Sequence, residues 1–278
     1  MTKLTIESTV RLSSGYEIPR LGFGVYQISK AETKASVLEA LRSGYRHIDT
    51  AQLYKNEEEV GQAIKESDVP REQIYVTTKM MSNGKDYDSA SKAIDESLKK
   101  LQMDYVDLFL IHEPLAGANV RHAIWRALVH AKQSGKIRDI GVSNFNINHL
   151  EEIKQAGLEL PSINQIELHP LDQQRPIVEW CDRHKIVVEA YCPLIRGQFN
   201  ILPLQDLAQK YHKDPAQILV RWSLQRGFIP LPRSSKLARI HSNANVYGFE
   251  LTSEDVASLD RLDKGTEGAI SWNPIDAN

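Results

Sequence analysis

The sequence is poor in cysteine and has no long apolar run. Its 278 residues include only Cys181 and Cys192, too few for a disulfide framework and in no CxxC or other metal-ligand spacing. The N-terminus has no extended apolar core, and runs such as FLI near residue 110 are too short to span a bilayer. We therefore expect a cytoplasmic protein of a reducing compartment, with no membrane partner.

Runs of like charge are also missing. Lys and Arg total 34 and Asp and Glu total 36, so the formal net charge is −2, with the signs mixed along the chain. This mixing excludes a polybasic nucleic-acid footprint, so any anion must be bound locally. Hydrophobic residues make up 41% of the chain and charged residues 25%, the balance of a soluble protein with a sizeable core. No interface signature is evident, and we expect a monomer.

No linker rich in Pro, Gly or Ser divides the chain, which favours a single domain over residues 1–278. Short β-rich runs alternate with segments of helical period. The runs predict eight strands, at 21–25, 46–49, 74–79, 106–112, 138–144, 163–168, 187–191 and 228–231. Helices are predicted between them, including 31–43, 57–65, 89–101, 120–133, 147–155, 174–184 and 215–225.

The first predicted strand argues against an open doubly wound sheet. Such a sheet carries GxGxxG after its first strand, whereas this chain reads GFGVYQ, with Gln27 in place of the third glycine. Eight strands with intervening helices instead favour a closed (β/α)8 TIM barrel. The preceding stretch TVRLSSGYEIP predicts a hairpin that turns at Ser14-Gly15, and we expect it to cap the barrel floor.

Ionisable residues close three consecutive predicted strands. Asp49 ends the second, Lys79 the third and His112 the fourth, while Tyr54 follows in the loop after Asp49. Alone, each has an ordinary explanation as a helix cap, a solvent contact or a hydrogen-bonded core group. Barrel enzymes, however, carry their chemistry at the C-terminal ends of strands, and a lysine there needs a counter-ion that Asp49 can supply.

This arrangement predicts an acid. A free tyrosine has a pKa of about 10, and a neighbouring ammonium favours the phenolate and lowers that pKa. We therefore expect Lys79 to lower the pKa of Tyr54, which would donate a proton to a carbonyl oxygen as hydride arrives at the carbon. A neutral His112 would hydrogen-bond the same oxygen and orient the substrate.

Two segments resemble the signatures of the aldo-keto reductase family: GYRHIDTAQLYKNEEEVGQAI (44–64) and MDYVDLFLIHEP (103–114). The resemblance covers nearly the whole chain, continuing in the family's order through IGVSNF (140–145), INQIELHP (163–170), EAYCPL (189–194) and LPRSSKLARIHSN (231–243). It implies hydride transfer from NADPH to an aldehyde, ketone or aldose, with a catalytic tetrad of Asp49, Tyr54, Lys79 and His112.

The resemblance also implies the residues that bind NADPH. Ser143, Asn144 and Gln165 match residues that hold the carboxamide, and Tyr191 matches the aromatic residue on which the nicotinamide stacks. The PRSSKLAR segment alone would also fit a capped surface helix, but two arginines and hydroxyls suit a dianionic 2′-phosphate. That phosphate site comprises Arg233, Ser234, Ser235, Arg239 and Asn243. Further cofactor contacts are expected from Gly24, Val25, Tyr26, Asp49, Pro193 and Leu194.

The chain departs from the family around the substrate. We expect substrate contacts from Tyr26, Met80, His112, Glu113 and Trp272. Glu113 replaces a frequent tryptophan, and it either faces water or recognises hydroxyls of a polyol or sugar. We expect Cys192 to have a packing role, although a thiol of low pKa at this position would be sensitive to oxidation. These departures leave the natural substrate open.

Two other function classes remain. A metal-dependent hydrolase would use His112, His169, Asp49 and Glu167, but Lys79 would place a cation where the metal should be, so we expect no metal. A nucleotide-binding regulatory or structural protein on the same fold, with little turnover, is the other alternative.

Overall fold

The structure is a computed structural model that describes residues 3–274. A short antiparallel hairpin comes first and eight parallel strands follow. The hairpin consists of β1 (Thr9–Arg11) and β2 (Glu17–Pro19). The parallel strands are β3 (Phe23–Gly24), β4 (His47–Asp49), β5 (Tyr75–Met80), β6 (Val106–Ile111), β7 (Ile137–Ser143), β8 (Ile163–Glu167), β9 (Val187–Tyr191) and β10 (Ile229–Pro230).

The strands pair in chain order from β3 to β10, and the sheet closes on itself. Closure is made by the amide of Gly22, which donates to the carbonyl of Pro230 (3.1 Å), and the amide of Gly24, which donates to that of Pro232 (3.1 Å). The predicted (β/α)8 barrel is therefore confirmed. The two strands at this seam are shorter than predicted, because Pro230 and Pro232 have no amide hydrogen to extend the ladder.

Helices cover the outside of the barrel. Within residues 3–274 they are α1 (Lys30–Arg42), α2 (Glu57–Glu66), α3 (Tyr87–Leu101), α4 (Ala118–Gln133), α5 (Ile147–Gln155), α6 (Arg175–Arg183), α7 (Leu202–Tyr211), α8 (Pro215–Gln225), α9 (Leu237–Ala244) and α10 (Ser253–Asp260). Helix α7 was not predicted, since only Leu204 and Leu207 of its ten residues are buried and its apolar pattern is thin. Across the same residues no helix is long and apolar enough to cross a membrane.

The hairpin closes the floor of the barrel, as predicted. Leu12 and Ile18 are buried in one cluster with strand residues that include Leu108, Leu110 and Ile163. The Ser14 hydroxyl also donates to the Asp139 carboxylate on β7. Since side chains alternate between the two faces of a strand, the interior residues become polar at the opposite end, where Lys79 lies two residues beyond Thr77 and His112 two beyond Leu110.

Candidate active site

A cleft of about 880 Å³ opens at the C-terminal ends of the strands. It is lined by strand ends, by the loops after β9 and β10, and by the segment that precedes the C-terminus. The predicted site residues found there are Gly24, Tyr26, Asp49, Tyr54, His112, Ser143, Asn144, Gln165, Tyr191, Pro193, Leu194, Arg233, Ser234, Ser235, Arg239, Asn243 and Trp272. The fold thus brings most of the predicted residues to one cleft.

Lys79 lies beneath the cleft, fully buried, with three acceptors. Its Nζ donates to Asp49 Oδ1 (2.6 Å), to the Thr50 carbonyl (2.9 Å) and to Tyr54 Oη (3.2 Å). An ammonium has three donors, so each proton has a partner. The neighbouring strands β4 and β5 set the Asp49 contact, and a 3-10 turn over Gln52–Tyr54 brings the phenol back over Lys79.

The pKa of Tyr54 differs from the prediction. Desolvation raises the pKa of the phenol well above its ordinary value, and the negative charge of Asp49 raises it further. The expected lowering of the pKa is therefore wrong, because burial of the phenol and the charge of Asp49, which pairs with Lys79, together outweigh the effect of the ammonium. The phenol of Tyr54 is consequently protonated at neutral pH.

His112 is held in its neutral form. Burial, followed by the nearby charge of Lys79, lowers the pKa of the imidazole to about 3. The ring meets that of Tyr54 edge to face, with 5.6 Å between centroids. Its backbone amide donates to the Met80 carbonyl (2.8 Å), and its carbonyl accepts from Asn144 Nδ2 (3.0 Å). A neutral imidazole is thus fixed beside the phenol.

The residues predicted to bind a carboxamide form one hydrogen-bonded group. Ser143 Oγ donates to the Gln165 carbonyl (2.8 Å), and Tyr191 Oη donates to Asn144 Oδ1 (2.8 Å). The side-chain amide of Gln165 donates both to Asp49 Oδ2 (2.9 Å) and to Glu189 Oε2 (2.7 Å). Both its N–H groups are therefore used, which orients its carbonyl oxygen for a donor in the cleft.

The other end of the cleft is cationic. Arg233 and Arg239 line it, with Lys236 directly before α9. Among the described residues no carboxylate lies within ion-pair distance of either arginine; Arg233 contacts only the side-chain oxygen of Gln27 (3.4 Å). Two uncompensated guanidinium groups beside a helix N-terminus fit a dianionic phosphate.

Besides Lys79, which lies beneath the cleft, three predicted residues do not line it. Met80 is fully buried in the core, so its predicted substrate contact is corrected. Both interpretations of Glu113 are also wrong, because its buried carboxylate accepts from the Ser82 amide (2.6 Å), the Ser82 hydroxyl (2.9 Å) and the Leu115 amide (2.6 Å). It braces the loops after β5 and β6. Val25 is fully buried as well, and its amide donates to the Asp49 carbonyl (3.0 Å).

Sequence reasoning missed several residues that line the cleft, among them Gln27, Leu53, Arg196 and Phe199, and it assigned Cys192, which also lines the cleft, to packing. They lie in loops or, for Leu53 and Arg196, in short 3-10 turns, which show neither strand nor helix periodicity. Burial, with a further contribution from the charge of Glu167, raises the pKa of Cys192, which argues against a reactive thiolate.

In residues 3–274 no group of three His, Cys, Asp or Glu side chains is arranged to hold a metal ion.

Glu189, beneath Gln165, gives a prediction of pH dependence. Burial, reinforced by the charge of Asp49, raises the pKa of this carboxyl to about 8 from an ordinary value of 4.5. Between these values the folded state binds more protons than the unfolded state, so stability should fall as the pH rises through that window. Glu189→Gln keeps an oxygen for Gln165 and removes the titration.

Between pH 5 and pH 8, the free energy of unfolding should therefore fall by roughly 1–3 kcal/mol more in wild type than in Glu189→Gln. Urea unfolding at the two pH values measures this difference. Glu58→Gln, on the exposed side of α2, is the matched control and should behave as wild type does. Equal pH profiles for Glu189→Gln and wild type would contradict the assignment.

Comparisons with known proteins agree with this geometry. The model of the Aldo/keto reductase family matches residues 20–264. A methylglyoxal reductase DkgA of Yersinia pestis is 44% identical, over 94% of this chain and 95% of that protein. A glyoxal reductase of Bacillus subtilis (strain 168) is 42% identical, over 94% of each. The structure of an aldo-keto reductase of Bombyx mori in complex with NADP superposes with a TM-score of 0.86, at 36% identity and 94% coverage of both chains. The chain belongs to the aldo/keto reductase family of oxidoreductases.

Proposed function

We propose that this protein reduces the carbonyl group of an aldehyde, ketone or aldose to an alcohol, with NADPH as hydride donor and Tyr54 as general acid. The observation that carries the proposal is the position of Lys79 Nζ, which bonds to Asp49 Oδ1 (2.6 Å) and to Tyr54 Oη (3.2 Å) at the base of the cleft. This arrangement places a proton donor and a positive charge at the same point.

The raised pKa of Tyr54 defines how the acid works. The phenol carries its proton before each turnover and would donate it as negative charge develops on the substrate oxygen. The phenolate that remains would accept a stronger, charge-assisted hydrogen bond from Lys79 than the phenol does. Lys79 thereby stabilises the charged product of proton transfer, while Asp49 keeps the ammonium charged in its buried position.

His112 has a positioning and polarising role in this proposal. Because its pKa is lowered to about 3, it adds no positive charge to the site. A neutral imidazole beside the phenol would donate a hydrogen bond to the carbonyl oxygen that Tyr54 protonates. Two donors on one oxygen would fix the carbonyl in the orientation that hydride transfer requires.

The residues of the cleft fit NADPH, which would supply the hydride. Gln165, Asn144 and Ser143 would hold the carboxamide, and the ring of Tyr191 would support the nicotinamide. The cationic end, where neither Arg233 nor Arg239 forms an ion pair with a carboxylate of the described residues, would hold the 2′-phosphate. The NADP complex of the Bombyx mori relative supports this proposal.

Small carbonyl compounds are the first substrates to test. Tyr26, Leu53 and Trp272 line the cleft and are 43%, 47% and 53% exposed, so they form an open apolar mouth. Two relatives are named methylglyoxal reductase and glyoxal reductase, and these names make α-oxoaldehydes the first class of substrate to test on this protein. We also infer that residues 1–278 form one domain, since Ser14 of the hairpin and Ile270 near the C-terminus both hydrogen-bond to barrel strands.

Steady-state oxidation of NADPH tests the proposal. We expect turnover with a panel of α-oxoaldehydes, simple aldehydes, aldoses and aromatic ketones, and slower turnover with NADH. Arg239→Gln should raise the KM for NADPH about tenfold or more and change the KM for NADH little, since it removes a charge-assisted contact to the phosphate. The exposed Arg126 on α4 provides the control substitution, Arg126→Gln.

The alternative is a nucleotide-binding protein with little turnover. Binding of NADPH, followed by its fluorescence, without oxidation by any compound of the panel would favour that alternative. An Arg239→Gln variant that loses equal affinity for NADPH and NADH would contradict the phosphate site.

A further inference from the structure

Glu167 ends β8, is fully buried, and does not line the cleft. Its Oε1 accepts a hydrogen bond from the backbone amide of Ile270 (2.6 Å), and its Oε2 accepts one from the amide of Ser271 (3.2 Å). His169 Nε2 lies 3.0 Å from Oε1. No lysine or arginine of the described residues pairs with Glu167, so the two amides and the His169 ring are the groups that stabilise its carboxylate.

The two amides belong to residues 269–273, which we term the tail segment. The residue before the tail segment, Gly268, packs closely against the main chain of Leu171. A Cβ at Gly268 would lie 1.8 Å from the Leu171 carbonyl oxygen, so only glycine fits at this position. The tail segment then brings Ser271 and Trp272 to the cleft. Its course therefore decides where the half-exposed indole of Trp272 lies.

Several other contacts of the tail segment are longer or come from exposed groups. Asn273 Nδ2, for example, donates to Asp172 Oδ2 at 3.4 Å. Tyr191 Oη is 3.2 Å from the Trp272 carbonyl but 2.8 Å from Asn144 Oδ1. A hydroxyl has one proton, so Tyr191 can serve only one of these acceptors at a time. Arg196 donates to Ser271 Oγ (3.0 Å) from an exposed side chain. The buried carboxylate, by contrast, offers a separate charged acceptor to each of two amides.

We propose that Glu167 is a positioning residue that determines substrate selectivity, because it fixes the main chain of the tail segment and thereby places Trp272 as a wall of the cleft. This role rests on the proposed carbonyl reductase function. A glutamine at this position would present one oxygen and one NH₂ group, and the NH₂ group would face an amide donor that it cannot satisfy. Only a carboxylate therefore offers an acceptor oxygen to each of the two amides.

Glu167→Gln tests the proposal with a readout that does not depend on activity. Hydrogen exchange at the backbone amides of Ile270 and Ser271 should accelerate about tenfold or more, because one amide loses its acceptor oxygen and the other keeps only an uncharged one. Ser271→Ala is the matched control: it removes the contact with Arg196, leaves both amides on Glu167, and should keep the slow exchange of Ile270.

Kinetics give the second readout. In Glu167→Gln the ratio of kcat/KM for a bulky aromatic aldehyde to kcat/KM for a small α-oxoaldehyde should change about fivefold or more, whereas the affinity for NADPH should stay within about twofold. Gly268→Ala displaces the same segment with Glu167 intact and should change the ratio as well. If Glu167→Gln does not fold, Gly268→Ala still tests whether the position of the tail segment affects selectivity.

Unchanged exchange at Ile270 and Ser271 in Glu167→Gln would overturn the anchoring. Faster exchange with an unchanged selectivity ratio would show that Glu167 only stabilises the tail segment, and would overturn its role in selectivity. If the wild-type protein reduces no carbonyl compound, the proposed function fails, while the exchange measurement still decides the anchoring.

Discussion

Replacing Tyr54 with phenylalanine is expected to lower kcat by about 10²- to 10⁴-fold, the range of a general acid, while NADPH still binds. The substitution removes one oxygen and keeps the ring, which packs against Tyr26 with 4.9 Å between centroids. The cleft should therefore keep its shape and lose only the proton donor. Single-turnover oxidation of NADPH with a small aldehyde measures the loss, and fluorescence of bound NADPH reports affinity.

A control and a pH profile sharpen this result. Tyr87→Phe removes a hydroxyl from the surface of α3 and should leave kcat unchanged. The raised pKa of Tyr54 keeps the phenol protonated well above neutrality, so kcat for reduction should stay level from pH 6 to pH 9. A decline toward pH 9 in wild type that disappears in Tyr54→Phe would support a lowered pKa instead. Turnover retained by Tyr54→Phe would contradict the acid assignment.

Three residues of the tetrad could be predicted because they lie at or next to the ends of strands. A parallel barrel brings all strand ends to one rim, so Asp49, Lys79 and His112 had to approach one another once the fold was known. The pKa of Tyr54 could not be predicted in the same way. It depends on the balance between desolvation, Asp49 and Lys79, which only the distances between those groups determine.

Residues one position beyond a predicted strand end were harder to place. Glu113 follows His112, and successive residues point in opposite directions, so His112 reaches the cleft while Glu113 turns into the loops. Met80, one residue after Lys79, points away from the cleft for the same reason and is buried in the hydrophobic core. The anchoring of Ile270 by Glu167 joins residues about a hundred positions apart through backbone amides, and no side-chain pattern in the sequence encodes such a contact.

Lys79→Met is expected to reduce the free energy of unfolding by about 3–5 kcal/mol, because it leaves Asp49 as a buried carboxylate without its counter-ion. Asp49 would keep only the hydrogen bond from Gln165 (2.9 Å) among the contacts of its side chain described above. The same variant should lose most turnover, since the phenolate formed at Tyr54 would have no cation to stabilise it. Urea unfolding and kcat measure the two effects.

The double variant Asp49→Asn, Lys79→Met separates stability from chemistry. With both charges removed, the unfolding free energy should recover most of the loss, because replacing a buried ion pair by neutral groups is often neutral or stabilising. Turnover should not recover. A double variant as unstable as Lys79→Met would contradict the coupling of the two charges. A stable, inactive double variant would mean that the pair is retained for proton transfer at Tyr54, since the barrel itself does not need it.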